Sequence, residues 1–443
     1  MTTKDSERYN LRKLRSEDVK DTVVLSFGFF GLGFFIPTYI YIMLSFLLKS
    51  SIPKWILLGS FYSELIIIAF LKDEILFLFE MTRTAIGRRT PYILVFGTIS
   101  SFLLSTISNL LTVDKNLFSL VFVVIIFNFS LFIYALSLLG MLEDRKNYFN
   151  QRLLSIQPML WSVLGALWSY GYSVRLLTTD SNSKIVSHVS LFFFFSVFAV
   201  TFLIVEDKKY KVKLSISEKT EIYDKLLAKK TPWKVLNKSP QQILSDELAK
   251  VLLYQIEFLL PFHSWYLLNI RKGISAEFEP AKTLYFFVLG YVLNTVLVSF
   301  FKSYSKKLEL FGPVNIALAL LIYATTFTFS KIGWIFTSAF LLGFLVCHQI
   351  QKRFGYTTPG IVRFLSEYNS NNETNRPKFH PVNLLGIYVA VILTGILIDV
   401  IGVQSSGYIL GLLIAGLVVI ELLNSRAKIK NKQQWLKKEG RCE

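Results

Sequence analysis

The sequence predicts an all-α membrane protein of twelve transmembrane helices in two bundles of six. The chain of 443 residues is 53% hydrophobic, with a mean hydropathy of +0.48. Its charged fraction is 18%, below the roughly 25% of soluble domains. Apolar runs of about 20 residues, long enough to cross a bilayer, recur along the chain. Lys and Arg collect in alternate connections between these runs, as they do when those connections stay in the cytoplasm.

The first bundle is predicted over 22–206, after a polar, basic arm at 1–21, and the second over 248–425. A charged cytoplasmic linker at 207–247 separates them, and a basic tail at 426–443 follows. Both chain ends are expected in the cytoplasm of a cell-membrane protein, because most of the 48 Lys and Arg then face inward. The individual spans are predicted near 22–48, 54–79, 91–111, 117–141, 155–175, 187–206, 248–270, 281–301, 312–330, 333–350, 381–402 and 406–425.

The net charge of +18 does not predict a nucleic-acid partner, because the basic residues lie in the connections that set membrane orientation. The two cysteines, Cys347 and Cys442, provide neither a disulfide framework nor a metal-binding spacing. We expect the lipid bilayer and a small solute as partners, a monomeric protein, and no metal or cofactor apart from a coupling proton. Residues 1–21 lack an apolar stretch, so the first helix is expected to act as the insertion signal.

A short basic turn follows the second apolar run and contains Arg83, Arg88 and Arg89. Three arginines in so short a connection predict a cytoplasmic location. Gly87 can take a positive φ and end the first run, and Pro91 suits the opening turn of the next helix.

The turn reads Thr82-Arg83-x-x-x-Gly87-Arg88-Arg89-x-Pro91-Tyr92-Ile93. This pattern resembles the loop after the second helix of the glycoside–pentoside–hexuronide:cation symporters, a branch of the major facilitator superfamily. It is also similar to the Gly-Arg-Arg-x-Pro loop of sucrose transporters. The resemblance implies a cytoplasmic gate whose acidic and basic groups pair in one conformation and separate in the other, with Glu80 and Arg83 as one such pair. The alternative is a role in topology alone. The candidate gate residues are Glu80, Arg83, Gly87, Arg88, Arg89 and Pro91.

The resemblance fails where the symporters bind their cation. An Asp of the family's first helix is absent near Phe35, and two Asp of its second helix would fall near Ile68 and Lys72. Sodium needs several oxygen ligands, which Ile and Lys cannot supply. We therefore expect no sodium coupling at the family's usual site, which leaves proton coupling or passive exchange.

Titratable side chains within spans are candidate functional groups because their insertion is costly. Glu64 lies near the middle of the second span. It is either a proton-coupling carboxyl or a permanently protonated Glu that hydrogen-bonds a Tyr or Ser. In the seventh span, Glu257 shares a helix face with Tyr254, whereas His263 is either a ligand-facing or an interfacial histidine. Aromatic side chains are candidate sugar contacts, with helix packing or the membrane interface as the alternative. The complete set of substrate or coupling candidates is Glu64, Tyr254, Gln255, Glu257, His263, Tyr39 and Tyr134.

The linker is predicted to form a short amphipathic helix over 217–228, which is either a regulatory docking element or a solvated tether. Taken together, the sequence predicts a secondary transporter or facilitator for a small polar solute. The resemblance implies a sugar or glycoside. The alternatives are an exporter of another organic solute and a non-transporting sensor or scaffold. An enzyme is not expected, because acidic or His clusters of the metal- or phosphate-binding kind are missing and no phosphate-binding Gly-x-x-x-x-Gly-Lys motif occurs.

Overall fold

The computed structural model of the protein describes its structure over the following residues: 20–21, 23–36, 38–39, 42, 52–112, 117–144, 161–162, 164–165, 168–169, 182–204, 215–229, 286, 289–290, 293, 340, 385, 388–389 and 391–402. Helices dominate this part of the chain. They are α1 Val23–Ile36, α2 Lys54–Phe61, α3 Glu64–Met81, α4 Thr90–Thr112, α5 Leu117–Asp144, α6 Asn182–Leu203, α7 Ile216–Lys229 and α8 Val391–Gly402.

Three of these helices, α4, α5 and α6, are long and apolar enough to cross a membrane. The number rises to four if α2 and α3 form one bent span. The shorter apolar helices α1 and α8 lie within the predicted first and eleventh spans. The helical fold and the apolar character of the predicted spans are therefore confirmed where the structure describes them, while the count of twelve stays a prediction.

Contacts divide the chain into two units, Met1–Lys238 with Thr357–Tyr388 and Ser239–Tyr356 with Val389–Glu443. Helices α1 to α7 belong to the first unit and α8 to the second. The bundle and linker boundaries given above stay predictions.

Within the first unit, α4 packs most extensively against α5 and α6. The core between the helices is aromatic. Phe35 of α1 is fully buried and stacks on Phe193 of α6, with ring centroids 4.1 Å apart, and on Phe127 of α5 at 5.6 Å. Phe35, near which the resemblance to the symporters implied an Asp, therefore lies in an apolar stack.

Small residues bring α1 close to the described positions of the predicted fifth span. A Cβ added to Gly33 would overlap the backbone of Ser162, and one added to Gly165 would overlap the backbone of α1. The hydroxyls of Thr38 and Ser169 are hydrogen-bonded at 3.0 Å beside this contact. Close backbone approach through Gly and Ser is the usual way in which membrane helices associate.

The linker contains the predicted helix, as α7. Its start is a capping box: the Ser215 hydroxyl accepts from the Glu218 backbone N–H at 3.3 Å, and the Glu218 carboxylate accepts from the Ser215 N–H at 2.8 Å. The Tyr223 ring meets Phe77 of α3 edge to face, with centroids 6.3 Å apart. The helix therefore lies against the end of α3 that leads into the basic turn.

Candidate functional site

The basic turn connects α3 to α4 through residues 82–89. Gly87 has φ +126°, in the region that favours glycine, so the predicted positive φ is confirmed. Gly87 does not end the preceding helix, because α3 already ends at Met81. The Thr84 and Gly87 backbones exchange two hydrogen bonds of 3.1 Å, which close the turn. Pro91 is the second residue of α4, in the opening turn as predicted.

Side chains next to the turn join the end of α3 to the start of α4. Thr82 donates from Oγ1 to the Leu78 carbonyl at 2.7 Å, so the Tyr92 hydroxyl is the donor in its 2.6 Å hydrogen bond with the Thr82 oxygen. The Tyr92 ring packs edge to face on Phe79, with centroids 4.6 Å apart. These contacts fix the end of α3 against the start of α4.

The charges of the turn are largely buried. Arg88 and Arg89 expose only 5% and 3% of their surfaces, so their positive charges need protein partners. Glu80 supplies one carboxylate to both: it forms a salt bridge with Arg88 and lies 3.8 Å from Nη2 of Arg89. Arg83 donates to the backbone carbonyls of Glu80 and Thr82, each at 2.8 Å. The carboxylate of Glu80 thus forms ion pairs with Arg88 and Arg89, while Arg83, its predicted partner, donates to the backbone carbonyl of Glu80.

Gly140 belongs to this site, although the sequence analysis did not select it. It lies on α5, and the guanidinium of Arg89 occupies the space where its Cβ would be. A glycine near the end of an apolar helix gives no sign in the sequence of the charged group that lies against it.

A second polar site lies where the predicted second span is interrupted. We predicted a continuous helix over 54–79, but α2 ends at Phe61 and α3 begins at Glu64, with a 44° bend between them. Asn128 of α5 donates from Nδ2 to the carbonyl of Ser60, at 3.2 Å, and to the freed carbonyl of Phe61, at 3.0 Å. The Ser60 carbonyl also accepts from the Ser63 backbone N–H at 3.2 Å. Backbone freed inside a membrane is tolerated when a neighbouring helix supplies such partners.

Asn128 also joins the break to Tyr39, which follows α1 in the chain. Its Nδ2 lies 2.9 Å from the Ser63 hydroxyl, and its Oδ1 accepts from the Tyr39 hydroxyl at 2.9 Å. Tyr39 is buried, with its ring 4.5 Å from that of Phe127. Asn128 was not among the predicted residues, although a single Asn within a long apolar run is the kind of residue that marks such a site.

Glu64 is the first residue of α3, immediately after the break. Its side chain is half-buried. A carboxylate in the first turn of a helix is favoured by the helix dipole. No ion pair joins Glu64 to another residue described in the structure.

Tyr134 has different surroundings. It is fully buried in α5, its ring meets Phe193 edge to face with centroids 5.1 Å apart, and a Cβ at Gly97 would come within 2.8 Å of it. These contacts are those of a helix-packing residue, the alternative given above. The four candidates of the seventh span, Tyr254, Gln255, Glu257 and His263, lie outside the described residues. No group of His, Cys, Asp and Glu suited to a metal ion is found among the residues that are described.

No protein-family model matches this chain, and no curated protein matches it in sequence. Solved structures do resemble it. The nucleoside transporter NupG superposes with a TM-score of 0.62 at 12% identity, covering 92% of this chain and 98% of NupG. A point mutant of NupG gives the same TM-score at 13% identity. The xylose transporter XylE from E. coli gives a TM-score of 0.53 at 11% identity, over 91% of this chain and 97% of XylE.

These neighbours are transporters of nucleosides and of xylose. Their identities are low, so the likeness is one of fold. It extends over nearly the whole length of both chains. The chain therefore shares the fold of these transporters.

Proposed function

We propose that this protein is a secondary transporter that moves a small polar solute across the cell membrane by alternating access between two six-helix bundles. The observation that carries the proposal is the shared fold, which extends over 92% of this chain and 98% of a nucleoside transporter. The solute we propose is a sugar or glycoside. The basic turn resembles that of sugar symporters, and the neighbours are transporters of xylose and of nucleosides, which contain a sugar ring.

The interrupted second span supports a transport role. Discontinuous membrane helices expose backbone groups that line substrate and ion sites in secondary transporters. Here the interruption joins three helices through Asn128, with Glu64 at its edge and Tyr39 opposite. We propose that Glu64 carries the coupling proton. A group that is neutral when protonated and negative when deprotonated changes its electrostatic interaction with the neighbouring hydroxyls at each step.

The buried charge cluster of the basic turn supports a gating role on the cytoplasmic side. Glu80 is the shared partner of Arg88 and Arg89. Separating this carboxylate from two buried guanidiniums would be costly, so the cluster favours the conformation in which it is assembled. We propose a monomer with both termini in the cytoplasm.

Solute exchange tests the proposal. Purified protein in liposomes preloaded with unlabelled sugars or nucleosides should take up the labelled compound by counterflow, and empty liposomes should not. Failure with both compound classes would contradict the proposed solute class. Binding without exchange would instead identify a sensor, and a chemically altered compound would identify an enzyme.

Coupling is tested separately with Glu64→Gln. This change should abolish solute accumulation driven by a pH gradient and preserve counterflow, because exchange requires no net proton movement. Glu74→Gln is the matched control, since it makes the same change at an exposed position on α3. Glu257→Gln tests the other candidate carboxyl. Full accumulation by the Glu64→Gln protein would exclude Glu64 as the proton carrier. Accumulation driven by sodium and lost on substitution of Ile68 or Lys72 would overturn the expectation of sodium independence.

A further inference from the structure

Gly140 is crowded in a way that differs from the other described glycines. Around Gly28, the atoms nearest to an added Cβ belong to the apolar side chains of Val200, at 2.8 Å, and Leu138, at 3.1 Å. Around Gly140, they are the Nη1, Cζ and Nε atoms of Arg89, with Nε at 3.1 Å. A charged, planar group therefore fills the space that the missing side chain leaves.

The position of this contact is electrostatically favourable. Gly140 lies about one turn before α5 ends at Asp144. The carboxyl end of a helix carries a partial negative charge that stabilises a nearby cation. Because Gly140 has no side chain, the guanidinium can approach the backbone of α5 directly. Arg89 is 3% exposed, so the contact is shielded from water.

We propose that Gly140 is a positioning residue of the cytoplasmic gate, because it forms the seat that holds the Arg89 guanidinium and thereby attaches the basic turn to α5. The gating role of the seat rests on the proposed function, whereas the seat itself does not. Any side chain at this position displaces Arg89. The Glu80–Arg88–Arg89 cluster then loses the contact of the Arg89 guanidinium with Gly140 of α5.

A double-mutant cycle tests the seat without any transport measurement. Gly140→Ala should lower the thermal unfolding midpoint of the purified protein by about 1 to 3 °C, as overpacking of a core does in a chain of this length. In an Arg89→Ala background, the same substitution should change the midpoint by less than about 0.5 °C, because the group that it collides with is gone. Gly28→Ala is the matched control, and its effect should be the same in both backgrounds. If Gly140→Ala shifted the unfolding midpoint equally in the two backgrounds, the proposal that Gly140 holds the Arg89 guanidinium would be overturned.

A second readout separates positioning from general stability. Hydrogen exchange of the Thr84 and Gly87 amides, whose hydrogen bonds close the turn, should accelerate about tenfold in the Gly140→Ala protein and stay unchanged in the Gly28→Ala protein. Unchanged exchange in both would overturn the positioning role. If Gly140→Ala prevents folding, Arg89→Ala or Arg89→Lys should restore the yield, and failure of both to do so would overturn the proposal. If the double-mutant cycle shows coupling between Gly140 and Arg89 but the protein shows no counterflow, the proposed function is rejected and the contact between Gly140 and Arg89 is still supported.

Discussion

Replacing Asn128 with Leu should destabilise the protein more than any single hydrogen bond can explain. The amide joins α5 to both sides of the break and to Tyr39, which follows α1. It donates to two backbone carbonyls and contacts the Ser63 and Tyr39 hydroxyls. Side-chain hydrogen bonds between membrane helices contribute about 0.6 kcal/mol each on average, and up to about 1.7 kcal/mol. An amide nitrogen has two hydrogens, so the side chain makes three hydrogen bonds at a time, which gives a loss of roughly 1.8 kcal/mol, and the unsatisfied Phe61 carbonyl raises it to about 3 kcal/mol.

The assay is reversible unfolding of purified protein in mixed micelles of mild detergent and dodecyl sulfate, which gives the free energy of unfolding directly. Tyr39→Phe removes only one of the four contacts and should cost about 0.6 to 1.7 kcal/mol. Asn109→Leu makes the same change at an exposed position of α4 and should cost less than about 0.5 kcal/mol. A free energy of unfolding within about 0.5 kcal/mol of the wild type for Asn128→Leu would refute the reasoning, because Asn128 would then not hold the break.

Three further predictions concern the turn and the linker. Gly87→Ala should destabilise the protein by about 1 kcal/mol or more, because φ +126° strains any residue with a Cβ; unfolding in the same micelles measures this, and an unchanged midpoint would contradict it. Glu80→Gln should cost about 1 to 3 kcal/mol, since two buried arginines lose the negative charge of a partly exposed partner; Glu74→Gln, on the same helix, is its control. The Ser215 N–H, and then the Ser215 hydroxyl, hold the pKa of Glu218 below its ordinary value. The stability that the Glu218 carboxylate gives to α7 is therefore complete at neutral pH and is lost as the pH falls through that lowered pKa. Carboxyl NMR titration should show that the pKa of Glu218 rises in the Ser215→Ala protein. An unchanged pKa would contradict the predicted cap.

The linker helix α7 illustrates how far local sequence information reaches. Its predicted range of 217–228 differs from the observed Ile216–Lys229 by one residue at each end, because capping and helical periodicity act over a few neighbouring positions. Its partner, Phe77 of α3, is far away in sequence. This contact places α7 against α3, and no local sequence pattern could predict the contact.

The amino-acid sequence alone determined the membrane-spanning character of the helices and the form of the basic turn. Both depend on local properties. These are the length of an apolar run, the positive φ that a glycine can adopt at position 87, and the fixed φ of Pro91 in the first turn of α4. The fold class follows from these properties repeated along the chain.

Only the tertiary structure decided where the second span is interrupted, which group satisfies the freed carbonyl of Phe61 and what fills the space beside Gly140. Asn128 lies 67 residues after Phe61 in sequence, yet it donates to the carbonyl of that residue. Arg89 likewise meets a glycine of a helix that begins at Leu117. A buried polar group is stable only when its partners are in place, and packing between distant helices determines which partners those are.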